Sequence, residues 1–112
     1  MVIPKENIGD YVFHLNDDEY LALMAAAKKV ALILENALGA PRIALVYEGT
    51  GVSHVHAKLY PLYGDQASKT DVWSDYVEYS ETYRKYLTTV EGPRMSEDRL
   101  KEIQQKILKA QE

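Results

Sequence analysis

Cysteine and long apolar runs are both missing from this chain. Without cysteine there can be no disulfide, no thiolate metal site and no thiol nucleophile, so any chemistry must come from other side chains. No apolar run approaches the roughly 18 residues that span a bilayer, and the N-terminus lacks the segments of a secretion signal. We therefore expect a cytoplasmic protein with no membrane partner.

Positive charge is also scarce. The chain has 13 Lys and Arg against 17 Asp and Glu, a net charge of −4. Binding to duplex nucleic acid needs clustered Lys and Arg, so we expect no such partner, whereas a small phosphorylated ligand needs only a local positive site. The length of 112 residues is usual for one domain. We expect a single domain over 1–112, with its core in 2–63 and a C-terminal helical extension over 71–111.

Capping residues predict one long helix from Asp17 to Leu38. Asn16 can cap its start, Glu19 completes a capping box three residues later, and Gly39 ends it. Apolar residues recur every three or four positions along this helix, which predicts a face that covers a sheet. The residues of this face are Tyr20, Leu23, Met24, Ala27, Val30, Ala31, Leu34 and Leu38.

Two later segments have the length and composition of strands, from Arg42 to Tyr47 and from Ser53 to Tyr60. The short connection "EGTG" has glycines that can adopt positive φ, which predicts antiparallel neighbours. Residues 2–4 are typical of the end of another short strand, and Ser96 of the cap of a final helix. These elements predict an α+β domain with antiparallel pairing.

Four tyrosines share one helical face between these strands and the final helix: Tyr76, Tyr79, Tyr83 and Tyr86. This spacing is typical of a face that packs on the domain or on a second subunit. The alternative is a platform on which bases stack.

Candidate chemistry lies in the stretch "GVSHVHAKLYP". Because side chains alternate along a strand, His54, His56 and Lys58, with Tyr60, should share one face. The alternate residues, Val55, Ala57 and Leu59, should face the core under the long helix. An imidazole is a competent nucleophile near neutral pH, and an ammonium can stabilise developing phosphoryl charge. Backbone N–H groups of the turn at Thr50 and Gly51 could also bind an anion.

Two other interpretations of the histidine pair are open. It can be ordinary polar structure at the surface, or it can bind zinc or copper. A metal site would need a third ligand, which only His14 or scattered carboxylates could supply. We expect no metal site, and we expect His14 to be exposed.

Residues 2 to about 61 resemble the histidine triad (HIT) family. The stretches that carry the resemblance occur in the same order and with similar spacing: "VIPK", "LNDDEY", "ALGA", "VYEG" and "VSHVHAKLYP". His54 and His56 match the first two histidines of the family motif, and Lys58 occupies the third histidine position. The later stretch "YLTTVEGPRMSEDRLKEI" is similar to the tail of a divergent subgroup with a modified third histidine.

The resemblance implies a HIT-like antiparallel sheet with a long helix packed on it and C-terminal helices. It implies a nucleotide hydrolase or nucleotidyl transferase that acts at an α-phosphate, on nucleoside phosphoramidates or dinucleoside polyphosphates. By the same comparison His56 is the nucleophile, the backbone carbonyl of His54 orients its ring, and Lys58, Thr50 and Gly51 bind phosphate. No cofactor or metal is implied. The alternative is a non-catalytic HIT-like nucleotide-binding or interaction protein.

Several residues depart from the family pattern. Asn7 stands where the family often has a further histidine, Tyr47 stands where it has asparagine, and Thr50-Gly51 replaces its Gln-Ser or Gln-Thr pair. Lys58 can bind phosphate but is too basic to shuttle a proton. The family segment before "VIPK", which supplies much of the base and ribose pocket, has one counterpart residue here. We expect a truncated domain or a homodimer in which the partner supplies the missing wall.

Overall fold

The structure, a computed structural model, describes residues 1–49, 51–64 and 94–111. Within these ranges a short 3-10 helix, Val12–His14, precedes helix α1, Asp17–Leu38, and strands β1, Arg42–Glu48, and β2, His56–Leu62, precede helix α2, Glu97–Lys109. The two strands pair antiparallel, so the predicted α+β class is confirmed. Thr50 and the predicted tyrosine face lie outside the described residues. None of the described helices combines the length and apolarity needed to cross a bilayer.

Helix α1 has the bounds that its capping residues predict. The Asn16 side chain accepts a hydrogen bond from the Glu19 backbone N–H at 2.9 Å, and the Asn16 N–H donates to the Glu19 carboxylate at 3.2 Å. Asp17 and Asp18 place negative charge in the first turn, where the helix dipole favours it. Gly39 takes the left-handed conformation, φ +61°, that ends the helix. Local sequence therefore specifies this helix completely.

The buried face of α1 is narrower than the apolar pattern predicts. Leu23 and Ala27 are buried, but Met24 is 36% exposed and the prediction that it is covered was wrong. The other predicted members of this face are half-buried: Tyr20, Val30, Ala31, Leu34 and Leu38. Because the described sheet has two strands, it covers only a strip of the helix.

Strand β2 starts at His56 rather than at Ser53 and ends at Leu62 rather than at Tyr60. The reason is a competing partner, since the main chain just before His56 hydrogen-bonds to the N-terminal segment instead of to β1. The Val55 N–H donates to the Gly9 carbonyl at 2.8 Å. Val2 forms an isolated antiparallel bridge with Ala57, in agreement with the short strand predicted at residues 2–4.

The core lies between α1 and one face of the sheet. Val55 and Ala57 have no exposed surface, and Val55 packs with Leu23 and Val12. The predicted alternation holds for Val55 and Ala57, whereas Leu59, which was predicted to join them in the core, is half-buried. The opposite face of the strand is left for its polar residues.

Helix α2 begins after Ser96, as predicted. The Ser96 hydroxyl accepts a hydrogen bond from the Arg99 backbone N–H at 3.3 Å. The helix lies against α1 with Ile103 and Ile107 half-buried. It therefore extends the helical layer on the side of the sheet that α1 covers.

Candidate active site

His54, His56 and Lys58 line one cavity of about 340 Å³. Gly51 lies at its edge, and three apolar residues that the sequence interpretation missed complete the described lining: Met1, Ile3 and Val52. Thr50, the other residue predicted to bind phosphate, lies outside the described residues. The structure thus brings together the two imidazoles, the ammonium and the glycine turn.

His56 is held by the main chain. Its side chain is buried, with the residue 5% exposed, and its Nδ1 atom lies 2.8 Å from the carbonyl oxygen of His54. A carbonyl oxygen can only accept, so Nδ1 must carry the proton in this hydrogen bond. In the neutral ring the other nitrogen, Nε2, then has the free lone pair. This is the tautomer that a nucleophile needs.

The chain before His54 is held by the segment of residues 7–10. The Asn7 side chain donates to the Ser53 carbonyl at 2.9 Å and accepts from the Gly9 N–H at 3.0 Å. The Ser53 hydroxyl donates to the Asp10 carboxylate at 3.1 Å. Asn7, which stands where the resembling family has a histidine, thus connects the N-terminal segment to the loop that positions the site.

Two glycines shape this loop for different reasons. A Cβ atom at Gly49 would overlap the backbone carbonyl of Asp10, so only glycine allows this close approach. Gly51 has open space around it but takes φ +83°, a left-handed conformation that the sequence predicted for this turn. The loop therefore needs Gly49 because it has no side chain and Gly51 because glycine readily adopts a positive φ.

Lys58 has a partner that sequence reasoning did not identify. Its Nζ atom lies 2.5 Å from a carboxylate oxygen of Glu48, with side-chain exposures of 24% for the lysine and 15% for the glutamate. Glu48 stands directly opposite His56 in the antiparallel register and is diagonal to Lys58. The sequence alone does not identify this ion pair, because the pairing register of β1 and β2 must be known first.

Two polar atoms near the strands are buried without a hydrogen-bond partner among the described residues, the His54 Nε2 and the Tyr47 hydroxyl. Tyr47 lies on the core side of the sheet, next to Tyr20. Burial raises the pKa of the Tyr47 hydroxyl, and the neighbouring Tyr20 raises it further. Tyr47 is thus part of the core and does not line the cavity.

Among the described residues there is no group of three or more His, Asp or Glu residues that could hold a metal ion. His14 is exposed, as predicted, and its ring contacts Tyr11 edge to face at a centroid distance of 4.7 Å. It is not among the residues that line the cavity.

The described arrangement can bind an anion and present a nucleophilic nitrogen to it. An imidazole whose Nδ1 donates to a backbone carbonyl, an ammonium and a glycine turn line one cavity. Comparisons of the chain with protein-family models, curated proteins and solved structures found no match. The resemblance to the HIT family therefore stays a prediction.

Proposed function

We propose that this protein is a HIT-like nucleotide hydrolase or nucleotidyl transferase that acts at an α-phosphate through His56. The observation that carries the proposal is the hydrogen bond from His56 Nδ1 to the His54 carbonyl, which leaves Nε2 as the reactive nitrogen of a cavity-lining ring. The nucleotide partner and a cytoplasmic location belong to the same proposal.

In the first step the lone pair of His56 Nε2 attacks phosphorus. The bond from phosphorus to the leaving group breaks, and the leaving nitrogen or oxygen keeps the electron pair, taking a proton from solvent where it needs one. The nucleotidyl-imidazole that forms keeps its Nδ1 proton on the His54 carbonyl, which stabilises the positive charge of the ring.

In the second step water attacks phosphorus and loses a proton to solvent. The bond between phosphorus and Nε2 breaks, its electron pair returns to the imidazole, and a nucleoside monophosphate is released. Another nucleophile in place of water gives transfer instead of hydrolysis. Lys58 and the turn at Thr50 and Gly51 bind the phosphate oxygens in both steps.

A homodimer is part of the proposal. The described sheet has only two strands, and a two-stranded sheet has edges that favour association. Apolar side chains beside the cavity are exposed, with Met1 at 73%, Val52 at 67% and Ile3 at 55%. A partner subunit over these residues would supply a wall for the nucleoside.

The second candidate is a nucleotide-binding protein without catalysis. The ion pair of Lys58 with Glu48 favours it, because the third histidine position then holds an ammonium engaged with a carboxylate instead of an imidazole that could transfer a proton. Such a site would bind AMP reversibly and leave it chemically unchanged.

Turnover of an adenosine phosphoramidate and a diadenosine polyphosphate, with a chelator present, tests the proposal. His56→Ala should lower kcat/KM at least about 10³-fold, because the covalent step has no other nucleophile. His14→Ala removes an exposed histidine and should leave kcat/KM unchanged. Mass spectrometry of quenched reactions should detect a nucleotidyl adduct in the native protein and not in His56→Ala.

Full turnover by His56→Ala would contradict the nucleophile assignment. AMP binding without turnover or adduct in the native protein would favour the second candidate. A native protein that neither turns over these compounds nor binds AMP would contradict both candidates.

A further inference from the structure

Three aromatic rings lie together on the surface just before helix α1. Tyr11 is 51% exposed, Phe13 is 73% exposed, and His14 is also exposed. The Tyr11 ring contacts the other two rings edge to face, Phe13 at a centroid distance of 5.6 Å and His14 at 4.7 Å. We call these three residues the aromatic surface. The proposed hydrolase uses none of them.

The backbone of a short turn holds these rings outward. Val12, between Tyr11 and Phe13, is 7% exposed and packs in the core. The His14 N–H donates to the Tyr11 carbonyl at 3.0 Å, and the Leu15 N–H donates to the Val12 carbonyl at 3.3 Å. Because Val12 takes the inward position of the turn, the rings on either side of it are exposed. A partner would therefore meet a surface that is already ordered, which lowers the entropic cost of binding.

The chain around the aromatic surface is acidic. From Glu6 to Ala27 it has five Asp and Glu residues and no Lys or Arg. Asp17 and Asp18, at the start of α1, are exposed and form no ion pair within residues 1–49, 51–64 and 94–111. Their charge outweighs the partial positive charge, about half a unit, at the N-terminus of the helix. Charge complementarity therefore favours a cationic partner.

A guanidinium group fits this combination of rings and carboxylates. Its planar cation stacks on aromatic faces, and its N–H groups can donate in pairs to a carboxylate. A small ligand needs a pocket that encloses most of its surface, whereas these rings are largely exposed. Arginine and aromatic side chains are, by contrast, enriched where proteins bind one another.

We propose that the aromatic surface, together with Asp17 and Asp18, is a docking site for an arginine-containing segment of a partner protein. The guanidinium stacks on the rings of Tyr11 and Phe13 and donates to the carboxylates at the start of α1. This site is independent of the proposed hydrolase, because none of its residues lines the cavity.

Fluorescence anisotropy with a short labelled peptide of alternating Arg and Ala tests the proposal, at about 0.15 M salt to screen long-range attraction. Phe13→Ala should raise the dissociation constant by about fivefold, because the cation loses an aromatic face. Phe13→Leu keeps apolar bulk and should also raise it, whereas Phe13→Trp should not. A peptide with Lys in place of Arg should bind more weakly to the native protein.

A matched pair of double variants tests the carboxylates. Asp17→Asn with Asp18→Asn removes two charges from the first two positions of α1. Glu97→Gln with Asp98→Asn removes two charges from the same positions of α2. The α1 variant should raise the dissociation constant of the Arg peptide by about fivefold, and the α2 variant should leave it unchanged. Equal effects would show attraction by overall charge and would overturn the docking site.

NMR of the native protein gives a readout that needs no variant. The Arg peptide should shift the backbone amide signals of residues 11–18 and leave those of α2 unchanged. Absence of binding to the native protein, or an unchanged dissociation constant in Phe13→Ala, would overturn the proposal. So would sedimentation equilibrium in which Phe13→Ala dissociates a native dimer, because the rings would then contact a second copy of this chain. Turnover of the nucleotide substrates should be equal in Phe13→Ala and the native protein.

Discussion

At the scale of single residues, two tyrosine hydroxyls have opposite surroundings. The Tyr47 hydroxyl is buried and has no hydrogen-bond partner among the described residues. The Tyr63 hydroxyl donates to the Leu38 carbonyl at 3.3 Å, at a site where the residue is 54% exposed. A buried polar group without a partner costs free energy, whereas a partnered exposed one contributes a little. The same substitution at the two sites should have opposite effects.

Tyr47→Phe should raise the free energy of unfolding by about 1 kcal/mol, because it removes the unpaired hydroxyl and keeps the ring. Tyr63→Phe should lower it by about 0.5 kcal/mol. Since the pKa of Tyr47 is raised in the folded protein from its ordinary value of 10.0, the contribution of this hydroxyl to stability should be constant well below pH 10.0 and fall as the pH rises through and above it. That decline should be weaker in Tyr47→Phe. Urea unfolding of the native protein and of each variant, from neutral pH to above pH 10, measures these effects. A free energy of unfolding of Tyr47→Phe below that of the native protein at neutral pH would contradict the prediction.

At the scale of elements, local sequence predicted the ends of helix α1 but not the start of strand β2. Helix α1 was predicted to the residue, because Asn16, Glu19 and Gly39 act within one turn of its ends. The start of β2 was placed at Ser53 and lies at His56. That boundary depends on a hydrogen bond from Val55 to Gly9, far away in the chain, which no local pattern contains.

Some residues of the candidate site could likewise be predicted from the sequence, and others could not. Alternation along one strand predicted that His54, His56 and Lys58 share a face, and the structure places all three at one cavity. The role of Glu48 was missed, since it follows from the register between two strands and not from either strand alone. The connecting residue Asn7 was noted only as a departure from a family pattern. Its contacts with Ser53 and Gly9 appear once the chain is folded.

The cap of α1 gives a prediction at this scale. Asn16→Ala should lower the free energy of unfolding by about 1 kcal/mol, because the Glu19 N–H loses its acceptor. Asn36→Ala, at an exposed position inside the same helix, should raise it by about 0.5 kcal/mol through higher helix propensity. Thermal and urea unfolding measure both. Equal effects of the two substitutions would show that the cap does not stabilise the helix.

At the scale of the whole molecule, the described surface is rich in apolar side chains. On α1, Leu21 is 61% exposed and Leu32 is 51% exposed, and on the sheet Leu45 is 42% exposed. Single exposed apolar residues are common, but several on neighbouring elements are typical of an interface. Among the exposed apolar residues, the proposed homodimer would cover those beside the cavity, Met1, Ile3 and Val52.

Sedimentation equilibrium tests the dimer. The native protein should show a mass that rises with concentration toward twice that of one chain. Val52→Glu should raise the dissociation constant by about tenfold or more, because it places a charge among the apolar residues beside the cavity that the partner subunit would cover. Leu108→Glu makes the same change on the exposed side of α2, where the residue is 48% exposed, and should have no effect. A monomer mass independent of concentration would rule the dimer out.

The acceptor for the His56 ring has a consequence for how this site can vary. That acceptor is a peptide carbonyl, a group that every amino acid at position 54 would carry. Which ring nitrogen carries the proton is therefore set by the path of the backbone and not by the identity of a neighbouring side chain. Substitution of residue 54 would keep this hydrogen bond, whereas substitution of Gly49 or Asn7, which hold the backbone in place, would displace the carbonyl that accepts it.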